Sequence, residues 1–145
     1  MPNKTTDKGL TIIQESESLR LKAYYDTGNV LTIGWGHTGP DVKPGMVITE
    51  DQAKKFLQAD VEEAEGFVKS YVLVPLTQNQ FDALVSFVFN IGPKQFQAST
   101  LLRMLNQKDF TGAQNQFKRW NMDNGKVQGG LVTRRAKEAK LFGSP

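Results

Sequence analysis

At 145 residues, with 39% hydrophobic and 23% charged, the chain has the size and composition of one globular domain with its own core, not of a disordered segment. With no cysteine and a single histidine, it excludes disulfides, thiolate chemistry and a multi-histidine metal site within one chain, so its chemistry falls to carboxylates, hydroxyls, amides and Lys/Arg. Eighteen Lys+Arg against 15 Asp+Glu give +3, a mild bias towards polyanions; the basic residues read as spread along the chain, and nucleic acid is not an expected partner.

The N-terminal segment has no apolar stretch of signal-peptide length, and no run of 18 apolar residues occurs. Stable membrane association is therefore not expected, and the chain as given is expected to accumulate in the cytoplasm. Leu10, Ile13, Glu17 and Leu21 are spaced 3, 4 and 4, which puts Glu17 on the apolar face of a first helix and turns Glu15 away from it. Two strand-like runs follow, Lys22 to Asp26 and Val30 to Gly34, around Thr27-Gly28-Asn29, a β-hairpin with Asp26 at the end of its first strand and Thr32 in its second. Gly34, Gly36, Gly39 and Pro44-Gly45 mark irregular backbone leaving a small sheet.

Thr49-x-x-Gln52 has the form of a capping box, and Ala53, Phe56, Leu57, Val61, Ala64, Val68 and Tyr71 then keep helical spacing until Pro75. A second box, Thr77-x-x-Gln80, opens a helix to Asn90 that Gly92-Pro93 breaks. Helices over Thr100 to Asn106 and Phe110 to Trp120 follow, then a loop at Asp123-Asn-Gly125 and a last helix over about Leu131 to Phe142. The expected fold is α+β in a single domain: a hairpin-bearing lobe over about 15–48, a connecting helix over about 49–72 and a helical lobe over about 73–145. Two lobes imply a cleft, where ligands bind.

Glu17, Asp26 and Thr32 are placed to converge on one wall of that cleft, and two carboxyl groups in unlike surroundings are what glycoside hydrolysis uses. On pattern alone, Glu17 reads first as the surface ion-pair partner of Arg20 at i,i+3, and Asp26 as a turn residue that could still act on water. His37 reads as a buried hydrogen-bonding residue, and Trp35 and Trp120 as core aromatics.

The spacing Glu17-x8-Asp26-x5-Thr32, set in Glu17-Ser-Leu-Arg-Leu-Lys-Ala-Tyr-Tyr-Asp26 and Leu31-Thr-Ile-Gly-Trp-Gly-His-Thr38, resembles the phage-type lysozymes, or endolysins. The resemblance continues through Phe87-Val-Phe-Asn-Ile-Gly92 and Gly130-Leu-Val-Thr-Arg-Arg135 and covers nearly the whole chain. It implies a lysozyme-like fold and hydrolysis of the β-1,4 bond between N-acetylmuramic acid and N-acetylglucosamine in peptidoglycan. It implies Glu17 as general acid, Asp26 and Thr32 as holders of the attacking water in an inverting displacement, and Gly36, Phe89 and Asn90 as substrate-binding residues.

The resemblance also brings one of Arg134 and Arg135 towards the active site, requires no cofactor or metal, and implies a monomer that reaches the wall through a membrane lesion made by a separate holin protein. A lytic transglycosylase on the same bond and a non-catalytic peptidoglycan-binding module are the alternatives. The family usually has glycine where this chain has Ser18, so strain is expected there if the helix end requires positive φ.

Overall fold

The structure, a computed structural model, describes residues 1–145. Helix α1 (Asp7–Glu17) leads into a three-stranded antiparallel sheet of β1 (Arg20–Tyr25), β2 (Leu31–Gly34) and β3 (His37–Thr38), ordered β1-β2-β3. Tyr24 lies opposite Thr32, and Thr32 opposite Thr38. Facing residues of antiparallel strands share a sheet face, so these three side chains form one row. Leu21, expected on the face of the first helix, lies in β1 and is exposed, because the helix ends at Glu17.

Ser18 ends that helix with φ 54° and ψ 145°, and its N–H donates to the Gln14 carbonyl at 3.2 Å. This is backbone that glycine adopts freely and a Cβ disfavours by about 1–3 kcal/mol. Ser18 is exposed, so its side chain has little packing to lose. After allowance for glycine's greater unfolded-state entropy, Ser18→Gly is expected to stabilise the fold by about 1 kcal/mol, raising Tm by roughly 2–4 °C. Thermal unfolding followed by circular dichroism checks this, and an unchanged or lower Tm would show that the conformation is not strained.

Helix α2 (Glu50–Tyr71) begins at the Thr49/Gln52 capping box with both reciprocal bonds made. It buries Ala53, Leu57, Val61, Ala64 and Val68, at spacings that keep one stripe inward. Helix α3 (Gln78–Ile91), opened by the Thr77/Gln80 box, is buried from Phe81 through Val88 and packs against α1, α2 and the last helix of the chain. A helix apolar nearly all round belongs at a domain's centre. Phe87 is its hub, meeting the rings of Phe96, Phe117 and Trp120 edge-on at 5.1–6.2 Å.

The rest of the helical region is α4 (Pro93–Gln97), α5 (Thr100–Asn106), α6 (Phe110–Gln116) with a 3-10 turn over Phe117–Arg119, and α7 (Gly129–Phe142). The segment expected to be a loop around Asp123 is instead a small hairpin, β4 (Met122–Asp123) and β5 (Lys126–Val127). Its turn residues Asn124 and Gly125 have φ 52° and 77°, the double positive φ of the turn that Asn-Gly favours between two strands.

Candidate active site

Glu17 is the last residue of α1, so its side chain stands where the helix gives way to the sheet. It lines a cleft of about 640 Å³ together with Asp26 and Gly28 of the first hairpin, Asn90 of α3, Trp120, and Arg134 of α7. Asp26 caps its own turn: one carboxylate oxygen accepts the Val30 N–H at 2.8 Å. Thr32 is buried behind this wall rather than in it, and its hydroxyl donates to the Val30 carbonyl at 2.8 Å. Val30 thus ties Asp26 and Thr32 together. With its one proton committed, the Thr32 hydroxyl can only accept from a further partner.

The pairing of Glu17 with Arg20 does not occur. Arg20 lies over the Tyr24 ring at 4.2 Å, and Glu17 accepts from Arg134 at 2.7 Å across 117 positions of sequence. Tyr24 is drawn into the site's electrostatics: burial first, and the Glu17 charge second, raise its phenol pKa.

Behind Glu17 lies a buried polar array. Arg134 donates to the Ser86 carbonyl at 3.0 Å and to Glu138 at 3.3 Å, and Ser86 donates its hydroxyl to Glu138 at 2.6 Å. Arg135 donates to Glu138, to the side-chain oxygen of Asn90 and, at 2.9 Å, to the Trp120 carbonyl. Burial pulls the Arg135 pKa down, and the Glu138 carboxylate opposes it. Arg134, Arg135 and Glu138 are at most 3% exposed, so the two arginines form a structural core and not a solvated helix face. Of the two, Arg134 faces Glu17. Every member has a partner, as a buried charged network requires.

Gly36, with φ 75°, lies directly against Glu17: a Cβ built there would stand 2.7 Å from Oε1 and 2.9 Å from the carboxyl carbon. Arg134 holds Oε2, so the space over Gly36 belongs to the oxygen left free. Gly36→Ala is expected to displace the carboxyl group and cut any activity that depends on it by about 10²-fold. Assays with a circular dichroism control check this, and full activity in the folded variant would show that the carboxyl position is not critical.

Gly36 also lines a second depression of about 240 Å³, with Thr38, Asp60, Glu63, Phe67 and Phe89. Phe89 and Asn90, adjacent in sequence, therefore face different depressions that meet at Glu17 and Gly36. Trp120, expected in the core, packs on Phe87 and also lines the main cleft.

The two lobes also touch across the cleft. Thr27 in the first hairpin turn donates its hydroxyl to Asp123, and the Asn124 side chain donates to the Thr27 carbonyl at 3.1 Å.

His37 is buried, as expected, stacked on Phe56 at 4.2 Å and bonded to Asp60 at 2.8 Å and Asp41 at 2.9 Å. Burial opposes its charge, but the hydrogen bonds to Asp41 and Asp60 outweigh it and raise its pKa above the ordinary 6.5. A raised folded-state pKa gives stability that is fully present below pH 6.5 and is lost as pH rises through the folded value. Wild-type stability in denaturant is accordingly expected to fall as pH rises above 6.5, and His37→Gln to flatten that slope. Parallel slopes for the two proteins would assign the pH dependence elsewhere.

A model of the phage lysozyme family matches residues 14–138. The chain is 47% identical over 136 residues to the endolysin of Bacillus phage B103, covering 92% of this chain and 52% of that one, so it spans about half the length of the Bacillus phage endolysins it matches. It is 42% identical over 141 residues to the endolysin of Salmonella phage P22, covering 94% of this chain and 96% of that one. Among solved structures, the muramidase domain of SpmX from Asticaccaulis excentricus superposes with a TM-score of 0.90 at 37% identity, over 99% of this chain and all of that one. The family model's span, the relatives and the α+β fold agree: this chain belongs to the phage lysozyme family.

Proposed function

We propose that the protein is a muramidase that hydrolyses the β-1,4 bond between N-acetylmuramic acid and N-acetylglucosamine in peptidoglycan, with inversion. The observation that carries this reading is that two carboxyl groups from different elements, Glu17 at the end of α1 and Asp26 at the first hairpin, line one cleft. Their surroundings differ: Glu17 is half-buried beside a buried arginine, and Asp26 is exposed. Two carboxyl groups so placed can serve as proton donor on one side of a glycosidic bond and as base on the other.

In this reading the glycan lies along the cleft, and the Glu17 oxygen over Gly36 protonates the departing glycosidic oxygen. Arg134 fixes the other oxygen and so the rotamer. A water on the opposite face donates one hydrogen bond to Asp26 and one to Thr32, whose acceptor capacity is all that remains to it. Asp26 accepts the proton as the water attacks the anomeric carbon. Asn90, oriented by Arg135, and Phe89 contact saccharide on either side of Glu17. The protein acts as a monomer without a cofactor and reaches the wall from the cytoplasm after a separate protein permeabilises the membrane.

Mass spectrometry of muropeptides released in ¹⁸O-labelled water tests the reaction type. Hydrated reducing muramic acid ends carrying the label are the expected products. Ends lighter by one water, the anhydro form, would mean transglycosylation, and binding without release would mean a carbohydrate-binding module.

A further inference from the structure

Charge is segregated along this chain far more than its net +3 suggests. Residues 39–93 carry four Lys/Arg against eight Asp/Glu, or −4, whereas residues 94–145 carry ten against three, or +7. The even spread of basic residues read from the sequence thus gives way to a strongly basic helical lobe. Two of its ten cations, Arg134 and Arg135, are buried on Glu138. The other eight, among them Lys94, Arg103, Lys118, Lys137 and Lys140, are exposed, against a single exposed carboxylate, Asp109. Only Lys137 has an ion-pair partner, Glu15 of α1, at 3.7 Å between two exposed groups.

Part of this charge lines a groove of about 540 Å³ between α1 and α7, where Lys8, Lys137 and Lys140 stand beside Ile12 and Leu141 with Asp7 as the one carboxylate. Arg119, another of the exposed cations, lines the main cleft beside Glu17 and Asp26.

We propose that the exposed basic surface of α4 through α7 docks the protein on a phosphodiester polymer of the cell wall, a chain of polyol phosphates, and so holds the cleft against the glycan. The proposal rests on the reading of the protein as a wall hydrolase. Charge complementarity supplies the attraction, and an extended surface of mobile lysines suits a flexible polymer with one charge per repeat. Nucleic acid fits less well. No aromatic side chain between 94 and 145 is exposed to stack on bases.

The test uses Glu17→Gln, so that the wall is not digested, in co-sedimentation with purified walls carrying poly(glycerol phosphate), before and after hydrofluoric acid has stripped that polymer. At ~0.1 M salt, where screening is moderate, affinity is expected to fall about tenfold or more on stripping. The charge reversals K118E/K137E/K140E should cause a similar loss on intact walls. K43E/K54E/K55E, an equal change of net charge placed in the acidic segment, should bind as the parent does.

Equal binding to intact and stripped walls, or equal losses from both triple variants, would overturn the proposal. Equally tight binding to duplex DNA of matched charge would overturn the assignment to a wall polymer. Digestion of stripped walls by the protein with Glu17 intact, and by both triple variants in that background, is expected to proceed normally and shows that they are folded. Its absence in all of them would instead count against the muramidase reading, which keeps the two failures distinct.

Discussion

Glu17→Gln is expected to lower lytic activity by about 10²–10⁴-fold, the usual contribution of a positioned general acid, while Tm and saccharide binding stay close to wild type. The amide preserves the shape of the side chain, and its carbonyl oxygen can still accept from Arg134, so the hydrogen bond that holds the residue survives. What it loses is a transferable proton. Glu15→Gln is the matched control, since Glu15 is exposed and its only ionic partner is Lys137. Turbidity clearing of peptidoglycan suspensions measures both. Near-full activity in Glu17→Gln, or an equal loss in Glu15→Gln, would remove Glu17 from the role of acid.

Glu138→Gln is expected to have the largest effect on stability, a loss of about 3–5 kcal/mol, because it leaves two buried guanidinium groups without their shared counter-charge. Glu138 is fully buried and also accepts the Ser86 hydroxyl, so water cannot replace what is lost without opening the α3–α7 interface. The loss should carry into activity, since Arg134 positions Glu17 and Arg135 positions Asn90. Lys137→Gln on the same helix removes an exposed pair and should change stability by no more than about 0.5 kcal/mol. Urea unfolding of the two variants decides the matter, and a Glu138→Gln loss below that of an ordinary surface change would mean the array tolerates neutralisation.

Local signals were the ones legible in the sequence. Both capping boxes are satisfied within four consecutive residues, so Thr49/Gln52 and Thr77/Gln80 located α2 and α3 without reference to anything distant. The first hairpin was legible for the same reason, whereas the positive φ at Ser18 was suggested only by the family's usual glycine at that position.

Very short elements were not legible. Strands of two residues, such as β4 and β5, carry no periodicity, and only the Asn124-Gly125 pair marked their turn. The buried array was missed because Arg134, Arg135 and Glu138 have the charge pattern of a solvated helix face. Only the docking of α7 on α3 turns that face inward, onto Ser86, Asn90 and Glu17. The division of Phe89 and Asn90 between two depressions likewise depends on how the lobes meet.

The central claim is that water attacks from the Asp26 and Thr32 side while Glu17 protonates the bond from the other. Proton NMR of a soluble peptidoglycan fragment, recorded as it is cleaved and before the new reducing ends mutarotate, tests it most directly. The account predicts that the α-anomer of the new muramic acid end appears first; initial release of the β-anomer would mean retention, and water could not then displace the leaving group in a single step.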